Sequence, residues 1–193
     1  MSARRAAIRR ERLQRNKIEK KKGKVGSLER AKEQGIIDGR ALAVSVCLEV
    51  LHSKYKLSNN KAQQLIDCMG KESTRLDDIG VNYVANYYVD KFEKKLSTIK
   101  EYRQTGDIET NIYCNARDEL FVTSVAIAMM VLNELWNFSS NDKNTGRLDY
   151  IMEYCTNRYL EVQLDCEHNT AQYYFERMLR KTGYQLSWEE VSI

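Results

Sequence analysis

RDELFVTSVAIAMMVLNELWNF, residues 117–138, is apolar on every side through its middle and charged only near its ends. A helix that is hydrophobic all round is either a membrane span or the centre of a packed domain. The apolar run Leu120 to Leu132 is thirteen residues long, about 20 Å of helix against a bilayer core of roughly 30 Å. Asp118, Glu119 and Glu134 bracket it closely. The stretch therefore reads as a core helix, with Asp118 and Glu119 as cap and first-turn acids that complement the helix dipole.

The rest of the chain is consistent with such a centre. At 193 residues it is long enough for one domain or two small ones, with a core that needs no disulfides. It has no proline, where average usage would give about ten, so long helices are favoured. Nine glycines are spread thinly and suit helix stops better than linkers. The five cysteines, at 47, 68, 114, 155 and 166, form no Cys-x-x-Cys pair. Cys47 and Cys155 sit among apolar neighbours at helical spacing, which suits small hydrophobes in a reducing cytoplasm. The expected class is all-α.

Charge is distributed unevenly. Residues 1–24 hold eleven Lys/Arg against two acids, leaving +9, while the remaining twenty cations and twenty-five acids leave −5. A basic arm on a mildly acidic body suggests an anionic partner for the arm, most often nucleic acid. With no apolar run after it, the basic start reads as neither a secretory signal nor a membrane anchor.

Read in order, residues 2–22 are good helix formers, but Ile8, Leu13 and Ile18 recur every five residues and make no continuous stripe. Gly23 and Gly26 are expected to break this arm, and Gly35 to stop a short helix capped by Ser27. A strongly apolar helix follows from about Gly39 to Tyr55. The next, capped by Ser58 or Asn60, is expected to end at Gly70. Asp77 or Asp78 can cap a long amphipathic helix reaching about Arg103. After the central helix come two more, within residues 147–164 and 168–183, and then YQLSWEEVSI, an extended tail that could cap the core.

Residue i set against i+81 pairs Val44 with Val125, Leu48 with Met129, Leu51 with Leu132, Tyr55 with Trp136 and Leu57 with Phe138. After an insertion at 142–146 the offset becomes 86, placing Leu65 on Ile151 and Tyr87 on Tyr173. The expected architecture is a helical bundle of two pseudo-repeats, each of about three helices and with the central helices in contact, preceded by the arm. The segments are 1–35 for the arm and short helix, 36–105 for the first unit, and 106–193 for the second unit with the tail.

Catalytic chemistry is poorly represented. Only His52 and His168 could act as general bases near neutral pH. There is no glycine-rich phosphate loop, nucleophile elbow or His-Glu-x-x-His. Cys155, Asp165, Cys166 and His168 lack the tight paired spacing of zinc sites. No catalytic residue, metal or cofactor is expected. Binding is better supported: Arg4, Arg5, Arg9, Arg10, Arg12 and Arg15, with Lys17, Lys20, Lys21 and Lys22, are dense enough for an arginine-rich helix that lies along phosphates. Tyr83, Tyr87 and Tyr173 have tyrosine or basic neighbours, a pattern suited to partner contacts.

The stretches RRAAIRRERLQRNK, VLHSKYKLSNNKAQQLI and RKTGYQLSWEE resemble small phage-encoded accessory proteins from phages of Gram-positive hosts, over most of the chain. The resemblance implies a counter-defence role: some proteins of that size and charge layout are anti-CRISPR proteins that inhibit the Cas9 nuclease. The expected partner is then a nucleic acid or ribonucleoprotein, such as Cas9 with its guide RNA, in the host cytoplasm and not at a membrane. The alternative is a regulator acting on DNA or RNA directly. Homodimerisation stays open.

Overall fold

A computed structural model describes residues 3–76, 89–90, 107–138, 146–163 and 170–192. Among these the chain is all-α, with helices α1 (Ala3–Tyr55), α2 (Asn59–Leu76), α3 (Ile108–Trp136), α4 (Arg147–Gln163), α5 (Thr170–Thr182) and α6 (Trp188–Ser192). The long helix expected over 77–103 lies outside the described residues apart from Val89 and Asp90; Val89 packs against the core.

Three helix boundaries differ from expectation, each for a physical reason. First, α1 is one helix of 53 residues, roughly 80 Å long, and runs through Gly23, Gly26, Gly35 and Gly39 without a break. Gly35 is a packing contact and not a stop: a Cβ there would lie 2.4 Å from the Tyr113 carbonyl oxygen and 3.0 Å from the Ala116 Cβ. At Gly39 a Cβ would meet the Arg117 carbonyl oxygen at 2.5 Å and the Leu120 Cβ at 3.0 Å. Second, α2 passes through Gly70 to Leu76. Third, α3 begins three turns earlier than its apolar run, because Asp107 accepts hydrogen bonds from the Glu109 and Thr110 amides and caps it. Asp118 is consequently interior to the helix and buried, not a first-turn acid.

The glycine contacts define the centre of the fold. Advancing from Gly35 to Gly39 along α1 advances the neighbours from Ala116 to Leu120 along α3, so the two helices run parallel, with facing residues 81 positions apart. Both helices end alike. Lys56 and Asn137 take left-handed conformations at φ 55° and 50°. The amides of Leu57 and Phe138 then donate back to the carbonyls of Leu51 and Leu132 at 3.3 and 3.2 Å, which satisfies otherwise unpaired carbonyls. Leu57 and Phe138 are buried. The helix after each central one crosses to the other: α2 packs on α3, and α4 on α1.

By length and composition α3 could also cross a membrane, but 61% of its apolar window is buried inside the protein. Its neighbours there include Leu42, Leu48 and Leu51 of α1 and Ile151, Met152 and Tyr159 of α4 in one apolar cluster. Gly183, at φ 72°, ends α5. The tail that follows does cap the core. Tyr184 and Leu186 are buried, and the Tyr184 hydroxyl donates to the Leu57 carbonyl at 2.7 Å. The tail then closes in the short helix α6, where Ser187 and Glu190 exchange side-chain to backbone bonds as a capping box.

Candidate nucleic-acid interface

The basic arm is continuous with the apolar half of α1. Ile108, where α3 starts, stands 81 positions after Ser27, so residues 3–26 carry α1 past the start of its partner by about 24 residues, roughly 36 Å. Arg4, Arg5, Arg9, Arg10, Arg12, Arg15, Lys17, Lys20, Lys21 and Lys22 all belong to this helical extension. Tyr83 and Tyr87 fall outside the described residues. Tyr173 is 55% exposed on α5 and meets Tyr174 edge to face at 5.6 Å, while Tyr174 packs against the core. The arm cations thus lie on the N-terminal extension of α1 and Tyr173 on α5.

A second set of cations and rings, not singled out from sequence, lies at the opposite end of α1. Tyr55 contacts Phe138 at 5.1 Å between ring centres, and Phe138 contacts Trp136 at 6.4 Å. Lys54 stands 5.1 Å over Tyr150, Lys61 5.7 Å over Trp136 and Arg147 5.3 Å over Phe138. At exposed sites a contact of this kind is worth about 0.5–1 kcal/mol. Tyr150 is 43% exposed and Phe138 is buried. Burial raises the Tyr55 pKa, with Arg147 acting the other way. The residues come from α1, α2, the end of α3 and the turn after it, and α4, so no single stretch of sequence contains them.

The buried polar groups hold the helices together. Arg117 is fully buried, 3.8 Å from the Asp118 carboxylate, between the rings of Tyr113 at 5.5 Å and Tyr159 at 6.0 Å. Burial opposes its charge, and Tyr159 and Asp118 more than offset that, so the pKa is raised. Its three side-chain nitrogens have no hydrogen-bond partner among the described residues. The Tyr159 hydroxyl donates to Asp118, and the Tyr113 hydroxyl donates to Asp38 of α1 at 2.5 Å. Burial, then Asp38, pushes the Tyr113 phenol up. On another face, Glu49 of α1 pairs with Lys181 of α5 and Arg158 of α4.

The sequence candidates for chemistry are dispersed. The Cys47 and Cys155 sulfurs are in contact at 3.6 Å, fully buried, and burial raises the Cys155 thiol pKa further. Asp165, Cys166 and His168 lie outside the described residues. Among the described residues no group of three His, Cys, Asp or Glu side chains could hold a metal ion. His52 packs against the edge of Tyr184 at 5.3 Å. Comparison of the chain with protein-family models, curated proteins and solved structures returns no match.

Proposed function

We propose that this protein is a non-enzymatic phage accessory protein of the host cytoplasm that binds a nucleoprotein, with the basic arm on the nucleic acid and the acidic body on the protein component. The observation that carries this reading is the charge division along one helix: the +9 segment is a helical extension of α1, whose C-terminal half is the centre of a body carrying −5. A helix with that cation density can neutralise several phosphates at once, which yields strong, sequence-independent and salt-sensitive attachment. The body is read as two copies of one unit. The parallel central helices with their 81-residue register and matching ends support that reading. The choice of a CRISPR nuclease such as Cas9 as the nucleoprotein follows from the resemblance of the arm, of residues 50–66 and of the tail.

Two measurements test it. Nucleic-acid affinity against salt should give a log–log slope of roughly −3 to −5 for the full chain, if about four to six of the arm cations reach phosphates. On duplex nucleic acid, deleting residues 2–24 should bring that slope near zero and leave the thermal melt nearly unchanged. Cleavage by several Cas9 orthologues, titrated with the protein, then tests the partner. No inhibition at saturating excess removes Cas9, and an undiminished salt slope without the arm removes the arm as the contact. Nucleic-acid binding with no protein captured from nuclease-treated host lysate would instead identify a regulator acting on DNA or RNA directly.

A further inference from the structure

We infer that the end of the bundle where α1 and α3 stop is a second binding site, for single-stranded nucleic acid, with bases stacking on Trp136 and Tyr150 and phosphates held by Lys54, Lys61 and Arg147. This site is separate from the arm. Lys54 is 30 residues beyond Lys24 on the same helix, roughly 45 Å away.

The argument starts from composition. This end carries Lys54, Lys56, Lys61 and Arg147, all exposed, with Glu134 and Asp149 as the acids of the same turns. It is therefore cationic on a body whose net charge is −5. Lys54, Lys61 and Arg147 make no ion pair with a described carboxylate. Each instead stands within 6 Å of a ring centre, and Trp136 and Tyr55 both meet Phe138 between them. A nucleotide presents the complementary pair, a π face with an anion a few ångström away. Flat rings interleaved with cations are how proteins hold unpaired bases without reading their sequence. An exposed cation–π contact is weaker than base stacking on the same ring, so an arriving base can displace the cation toward its phosphate. The buried Phe138 gives the surface a fixed floor, because the left-handed turn at Asn137 pins it against the end of α3. Paired bases cannot stack on side chains in this way, which separates this site from a duplex-binding patch.

The full chain has two tryptophans, Trp136 and Trp188, so protein labelled with 5-fluorotryptophan should give two fluorine resonances, assigned with Trp136→Phe. Titration with an oligouridylate of about ten nucleotides should shift the Trp136 resonance and leave Trp188 in place, and a duplex RNA of equal length should shift neither. The triple variant Lys54→Gln/Lys61→Gln/Arg147→Gln should weaken the Trp136 response about tenfold or more with an unaltered melt. A Trp136 shift that the triple variant leaves intact, or that the duplex reproduces, overturns the proposal. So does RNA binding seen by fluorescence anisotropy with a stationary Trp136 resonance, a result that would leave the arm as the sole contact. In the full chain with Arg4, Arg5, Arg9, Arg10, Arg12 and Arg15 changed to Gln, the Trp136 shift should persist. This site then stands even if the arm reading fails.

Discussion

Replacing Gly39 by alanine sets two effects of opposite sign against each other, and the contact geometry decides which is larger. Within a helix, alanine is favoured over glycine by about 0.8–1 kcal/mol. At Gly39, however, the new methyl would lie 2.5 Å from the Arg117 carbonyl oxygen and 3.0 Å from both the Leu120 Cβ and the Phe121 amide. Two of these three atoms are backbone, so no rotamer change relieves the overlap; α1 and α3 must separate. Overpacking a close interface costs about 1–3 kcal/mol and occasionally more, and opening a gap of about 0.5–1 Å forfeits a quarter to a half of the dispersion energy of the contacts it crosses. The helices touch along several turns here, so the upper part of that range applies. The net loss should be about 2 kcal/mol, or roughly 4–8 °C in melting temperature for a chain of this size. Gly35→Ala should behave alike, with its methyl 2.4 Å from the Tyr113 carbonyl oxygen. Gly70 supplies the control, because a methyl added there would meet nothing within 4 Å. Gly70→Ala should keep the propensity gain and melt about 2–4 °C higher. Thermal melts followed by far-UV circular dichroism read all three. If Gly35→Ala and Gly39→Ala melt at or above the parent temperature, as Gly70→Ala does, then α1 and α3 do not approach as described and the parallel register is wrong.

Asp118→Asn should be more damaging than its conservative shape suggests, since it leaves the fully buried Arg117 without its counter-charge; about 3–5 kcal/mol is expected, read from the urea midpoint. Burial raises the Tyr184 phenol from its ordinary 10.0 to about 12, and the sign follows from proton counting. The unfolded chain loses this proton first, so the stability Tyr184 contributes is fully present below pH 10 and falls as pH rises toward 12. Tyr184→Phe should remove that part of the alkaline destabilisation, seen in melts across this window, and lose the bond to the Leu57 carbonyl at all pH values.

Much of this fold is legible in the sequence because burial leaves a compositional trace. The apolar middle of α3 and the apolar half of α1 both lie where their hydrophobicity places them, and the alternating tail supplies Tyr184 and Leu186 to the core. Glycine misleads because one residue type serves two purposes. It permits a left-handed helix end, and it permits two helices to touch, and only the second applies at Gly35 and Gly39. The real ends of α1 and α3 use Lys56 and Asn137 in the left-handed region, and a lysine there carries no signal in sequence. Asp118 is misplaced when the helix start is read from the onset of hydrophobicity, whereas Asp107 with Glu109 and Thr110 after it is the relevant cue. The cation and ring cluster cannot be read at all. Lys54, Lys61, Trp136 and Arg147 lie on different elements, and only the two helix ends bring them together.

The parallel pairing of α1 with α3 also constrains how the protein is made. Facing residues are 81 positions apart, and parallel helices require the intervening chain to travel back along their length before the second can start. At about 5–20 residues per second a ribosome needs roughly 4–16 s to synthesise that separation. Throughout this interval the apolar stretch Ala41 to Leu51 has emerged, or is emerging, without the surface that covers it in the finished protein. Contacts this distant also form late, after a large loop-closure entropy has been overcome. A nascent or truncated chain ending before Ile108 is thus expected to aggregate instead of folding as an independent unit, because the apolar face of α1 is covered only when the second half arrives.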